Sequence, residues 1–168
     1  MRSDLFTRLG EPGRIKEIAG YDLHDAALRT GLDELARRSA SLLEAPVSLV
    51  SVLLDSSEFI LGSYGVTGWV AEAQGIPAEW AMCTHTVLEG TPYCVSDGWE
   101  DPRHADNPFL EMTRLRSYLG VPLVGEGGHN LGAHCVIDSR RRMFTDVDTA
   151  LLTDAAEKAM RLLEAHRL

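Results

Sequence analysis

A chain of 168 residues, 45% apolar and 24% charged, has the composition of one globular domain and is long enough to enclose a core unaided. A net charge of −9 argues against nucleic-acid partners, because phosphate recognition rests on clustered lysine and arginine. Three cysteines with no Cys-x-x-Cys pair indicate neither a disulfide framework nor a zinc ribbon, and they suit a reducing cytoplasm.

Met1 to Phe6 lacks the apolar core of a secretory leader. Residues 1–20 read as a short helix and a linker, the linker being Gly10 to Gly20 with Pro12 and Gly13, and residues 21–168 as the domain proper. Leu28, Leu32, Leu35, Ala36, Leu42 and Leu43 recur at helical spacing between Asp25 and Glu44, and Pro46 ends that helix. Val47 to Leu54 is apolar at both parities and reads as a central strand covered on both faces, too short to span a bilayer. Asp55-Ser56-Ser57 turns the chain into a second strand, Glu58 to Ser63. Gly62 to Gly75 reads as a glycine-rich loop anchored by Trp69, Ala81 to Leu88 as a short helix, and Tyr93 to Asp97 as a short strand. Asn107 is a good N-cap and Pro108 suits the first position of a short helix through Leu110, Met112 and Leu115. Ser117 to Val124 and Leu131 to Asp138 form a hairpin about Glu126-Gly127-Gly128-His129. Thr145 with Asp148 resembles a capping box at the start of a helix from Asp146 to His166. The basic run Arg140-Arg141-Arg142, between Asp138 and Asp146, reads as a solvated turn. These elements add up to an α+β layer architecture, an antiparallel sheet flanked by helices.

Several residues carry candidate chemistry. Asp97 and Asp101 are spaced for paired carboxylates or for Asx-type turns, and the turn reading is preferred. Cys83 and His85 suggest an activated thiol, but nothing in the sequence supplies an orienting third group. His134 and Cys135 are adjacent in a strand and point to opposite faces, so they cannot share a metal ion, and no metal site is expected. His134 groups with Val136, either as a pocket ligand to an anion or haem, or as a core histidine held by a backbone carbonyl. Phe59, Trp80, Met82, Phe109 and Tyr118 have the composition of an apolar cavity wall, with core filling as the alternative.

From Asp25 onward the order of motifs resembles the GAF domain family, in particular a subgroup found beside bacterial signalling enzymes. The resemblance is carried by Glu58-Phe59 with Gly65; Met82-Cys83-Thr84-His85-Thr86-Val87; Pro92 to Asp97; Asp101-Pro102-Arg103 through Asn107-Pro108; Ser117 to Leu123; and Leu131 to Asp138. It implies a GAF/PAS-like sheet with core order 2-1-5-4-3 and the long N- and C-terminal helices on one side, a small-molecule pocket between one sheet face and the short helices, and homodimerisation through the terminal helices. The ligand site is expected to use Phe59, Trp80, Met82, Cys83, His85, Phe109, Tyr118 and His134, with no catalytic residue. Two departures stand out: His134 occupies a position where an apolar residue is usual, and Leu119 and Val121 beside Gly120 are expected to narrow the pocket. The implied function is a non-catalytic regulatory module that binds a small molecule or a signalling protein such as a kinase or a transcription regulator. No output domain is read in the chain, so the signal is expected to pass to a separate protein. The alternatives are a ligand-free dimerisation module, a free methionine sulfoxide reductase, which resembles GAF domains and uses three cysteines, and a haem or bilin sensor. Bilin and cyclic-nucleotide binding are disfavoured, since Cys83 is followed by Thr84 and no Asn-Lys pair occurs. No cofactor is identified.

Overall fold

The structure, a computed structural model, describes residues 2–168; Met1, part of the leader reading, lies outside them. Every residue of β1 (Val47–Leu53) is buried. Val47, Leu49 and Leu53 enter one apolar cluster, while Val50 and Val52 enter another on the opposite face. A strand covered on both faces has to be central, and β1 is. It pairs antiparallel with β2 (Ser57–Tyr64) on one side and with β6 (Asn130–Asp138) on the other. With β3 (Gly75–Pro77), β4 (Tyr93–Val95) and β5 (Ser117–Val124), the sheet runs β3-β2-β1-β6-β5-β4. The expected core order is present, with β3 added at the β2 edge.

One face carries α3 (Ala26–Leu42) and α7 (Asp146–Glu164), whose Leu28, Leu32, Leu152 and Leu163 are fully buried with Val50, Leu119 and Val136. Asp25 caps α3 by accepting from the Leu28 N–H at 2.9 Å. The capping box of α7 is closed both ways: Thr145 Oγ1 accepts from the Asp148 N–H and Asp148 Oδ2 from the Thr145 N–H. The other face is roofed by α4 (Gly68–Ala73), a 3-10 turn (Ala78–Trp80), α5 (Cys83–Glu89) and α6 (Pro108–Thr113). Asn107 caps α6 through the Phe109 N–H and donates its amide to the Trp80 carbonyl, tying two roof segments together.

Two local expectations change. The region read as a glycine-rich loop contains α4 and β3, and the segment read as a linker is helical. In the second case α1 (Arg2–Leu9) is followed directly by α2 (Pro12–Ala19), because Pro12 occupies a first-turn position where its missing N–H costs nothing. Glu11 caps α2 through the Gly13 and Arg14 N–H groups, both at 2.9 Å. Arg14 is buried and donates to the Leu9 and Leu131 carbonyls, which fastens α2 to the end of β6.

Candidate functional site

On the roofed face, a cleft of about 430 Å³ opens between α4 and α6. Val47 and Leu49 of β1 line it from the sheet, Trp69 and Val70 from α4, and Phe109, Met112 and Leu115 from α6 and the residues after it. The strand-to-helix loop is shaped by Gly65 (φ +81°): a Cβ there would lie 1.9 Å from the Pro46 carbonyl oxygen, so only glycine lets this wall approach β1. Phe109 is buried, whereas Trp69 and Met112 are 42% and 50% exposed at the mouth. The volume, and a lining of apolar side chains interrupted by the Thr67, Thr113 and Ser139 hydroxyls, are those of a small-molecule site.

On the same face lies a closed polar cluster. Tyr118 Oη donates to Cys83 Sγ at 3.2 Å and pairs with Thr86 Oγ1 at 2.9 Å, while Cys83 Sγ lies 3.8 Å from Cys135 Sγ. All four residues are buried. The contact with Cys135, burial and nearby Glu58 hold the Cys83 thiol well above its ordinary pKa, so it stays protonated and is a poor nucleophile. Glu58 is buried, and its Oε2 and Ser51 Oγ have no partner in good hydrogen-bond geometry among the described residues. Desolvation pushes its pKa up to about 7, against smaller opposing contributions from Cys83 and Ser51.

The eight expected site residues divide. Phe109 lines the cleft. Met82, Cys83 and Tyr118 are core residues of the same face, and Trp80 packs on that core with its ring edge-on to Trp69 at 6.5 Å. His85 lies two residues beyond Cys83 on α5, so the two side chains do not face each other. Its ring stacks on Tyr93 at 5.0 Å and meets His104 edge-on, and His104 Nε2 is 2.7 Å from Tyr93 Oη. Burial holds His85 below its ordinary pKa and brings His104 down to about 4, with His85 adding to the latter.

Phe59 and His134 lie on the opposite face, under α3, and do not meet the others. Phe59 packs with the α3/α7 core against Arg29 and His24. His134 has both ring nitrogens engaged, Nδ1 with the Leu49 carbonyl at 2.8 Å and Nε2 with Ser39 Oγ at 2.7 Å. A carbonyl partner requires the proton on Nδ1, so Ser39 donates to Nε2. The neutral ring suits a site whose burial lowers the pKa to about 4. His134 is the core histidine of the two readings, with no nitrogen left for a ligand. Leu119 and Val121 also face α3/α7 and do not narrow a pocket; Tyr118 and Gly120 occupy the roofed face instead.

Asp97 and Asp101 are turn carboxylates. Asp97 accepts from the Trp99 N–H and pairs with Arg116 through both oxygens; Asp101 accepts from the Arg103 N–H and pairs with the Arg103 guanidinium, which draws its pKa down to about 2. Among the described residues no group of three or more His, Cys, Asp or Glu is placed to hold a metal ion.

The family model of the GAF domain matches residues 27–163. The chain belongs to the GAF family. This GAF domain is 30% identical over 130 residues to a cyclic di-GMP phosphodiesterase of Pseudomonas aeruginosa, covering 76% of the chain but only 21% of that relative. Its fold is that of the GAF domain of an Acinetobacter phosphoenolpyruvate-protein phosphotransferase (TM-score 0.67, 14% identity, 98% and 94% of the two chains). It is equally similar to a type II free methionine-R-sulfoxide reductase of Thermoplasma acidophilum (TM-score 0.67, 15% identity, 84% and 95% covered). At these identities the likeness is one of fold. No helix among the described residues is long and apolar enough to cross a membrane.

Proposed function

We propose that this GAF domain is a non-catalytic regulatory module of bacterial signal transduction, held in the cytoplasm, that takes a small molecule in the cleft between α4 and α6. It passes the resulting shift to the α3/α7 layer and so to a signalling partner such as a kinase, a transcription regulator or a cyclic-dinucleotide enzyme. The observation that carries the reading is the double duty of β1: Val47 and Leu49 line the cleft while Val50 and Val52, the alternate residues, pack beneath the terminal helices. A ligand that moves β1 therefore moves the helix layer through residues one step away in sequence. The protonated, buried Cys83, with His85 engaged by Tyr93 and His104 and not by the thiol, supports regulation over thiol chemistry.

The test is a thermal-shift screen of the ligand-stripped protein against a metabolite library, repeated on Thr67→Trp and Ser139→Trp. Both positions line the cleft and are exposed, so an indole there fills the mouth without disturbing the core. A compound at about a hundred times its Kd adds about 2.7 kcal/mol of stability, and the filled variants are expected to lose that gain. A screen with no hit, or hits that survive the filling, removes the ligand reading.

A second reading, dimerisation, is favoured by a groove of about 710 Å³ between α3 and α7. Leu42 and Leu151 line it and are 65% and 39% exposed, with Arg37, Arg38, Asp154 and Lys158 around them. Apolar side chains ringed by charges of both signs suit a self-complementary contact. Sedimentation analysis is expected to give a dimer that Leu42→Glu with Leu151→Glu converts to a monomer; a wild-type monomer at high concentration sinks this reading.

A further inference from the structure

We propose that the cleft's ligand is an uncharged, largely apolar small molecule with an aromatic surface and its hydrogen-bonding groups at one end. The inference rests on the reading of the cleft as a ligand site. None of the 14 residues lining it carries a charge, in a chain where 24% of residues do. The groove between α3 and α7, by contrast, is lined by Glu34, Arg37, Arg38, Asp154, Lys158 and Arg161. A phosphate or carboxylate entering the cleft would lose water and meet no cation, and a buried unpaired charge is among the costliest arrangements in a protein. Anionic nucleotides, cyclic dinucleotides included, are therefore poor occupants of this cleft, whatever the enzyme that the domain accompanies.

The placement of the polar groups gives the ligand its polarity. Of the lining hydroxyls, Thr113 is already committed: it donates to the Phe109 carbonyl at 2.7 Å and accepts from the Leu115 N–H. Thr67 makes no capping bond at the start of α4, and Ser139 stands with it among the exposed residues of the lining. The floor, with Leu49, Val70 and Phe109, is apolar, so a ligand's apolar body faces inward and its donors or acceptors face the rim. Trp69 and Met112 leave large apolar surface exposed at the mouth, and a ligand would cover both. A ring system suits this pair, because indole and thioether both make favourable contacts with aromatic faces and edges.

The experiment compares two probes that differ by one charge, N-phenyl-1-naphthylamine and its 8-sulfonate, by fluorescence titration and by energy transfer from tryptophan. The neutral probe is expected to bind one per chain, at least about tenfold more tightly than the sulfonate, and Thr67→Trp and Ser139→Trp are expected to weaken it by about tenfold or more. Ser139→Arg supplies the missing cation and is expected to move the preference toward the sulfonate. Equal or tighter binding of the sulfonate by the wild type overturns the ligand class; if the filled variants abolish that binding, the cleft stands as a ligand site. If neither probe saturates, the class is overturned as well, and the metabolite screen then separates the two claims: cleft-dependent stabilisation by a charged compound keeps the site, and no stabilisation removes both. Probe binding lost as the protein dimerises assigns the cleft to a second copy and overturns the proposal.

Discussion

Gly132→Ala is expected to destabilise the domain by at least about 3 kcal/mol, enough to leave a marginally stable fold largely unfolded. Gly132 stands in β6 opposite Val52 of β1 and Leu123 of β5, in the middle of the sheet. A Cβ at this position would lie 1.8 Å from the Ser51 carbonyl oxygen and 2.7 Å from the Val52 Cα. These are backbone atoms, so no side-chain rotation relieves the contact. β1 cannot retreat either, being buried along its whole length and bonded on both edges. The substitution therefore separates β1 from β6, losing ladder hydrogen bonds worth about 1 kcal/mol each together with the packing on both faces. Urea unfolding of the two proteins measures the difference, and a loss below about 1 kcal/mol would mean that β1 and β6 do not meet in this register.

The elements that were legible in the sequence are those whose signals are local. Val47 to Leu54, apolar at both parities, had to be central, and the Thr145/Asp148 and Asn107/Pro108 pairs marked helix starts that the structure contains. The same kind of signal misled at Pro12, where a residue that breaks helices sits in a first turn and begins one, and at Gly68, where a positive-φ glycine opens a helix inside what read as loop. Strand parity placed His134 with Val136 correctly, but parity sorts residues into two groups without saying which group faces which layer. That choice depends on Ser39, 95 residues away, which holds the ring under α3. The cleft was less legible still. Its walls come from β1, α4 and α6, and of these lining residues the sequence marks only Phe109 as a site residue and Trp69 as a bulky anchor without a destination. Leu49 and Met112 carry no mark that distinguishes a lining residue from a core one, because what separates them is whether the opposite wall touches them.

The second large effect concerns Glu58, the buried carboxyl with an oxygen unpartnered. Its folded pKa of about 7 lies above its ordinary value of 4.5, so between these limits the folded chain binds the extra proton. Stability from this group is full below pH 4.5 and is lost as pH rises through 7. His134 and His104 act in the opposite sense: their folded values near 4 lie below 6.5, so their contribution is full above pH 6.5 and is lost as pH falls toward 4. Two imidazoles against one carboxyl leave the wild type a net rise up to about pH 6.5 and a shallow fall from there to 7, so its stability is expected to peak near pH 6.5. Glu58→Gln removes one slope. The amide fits the same space, cannot ionise, and can donate to Ser51 Oγ. The variant is expected to match the wild type at pH 4 and to exceed it at pH 8 by up to about 3 kcal/mol, with stability rising from pH 4 to a plateau above 6.5. Urea unfolding across this range measures both curves. A variant no more stable than wild type at pH 8, or a gap that persists unchanged at pH 4, would mean that Glu58 reaches water or a cation and that the cluster around Cys83 is more open than its burial implies.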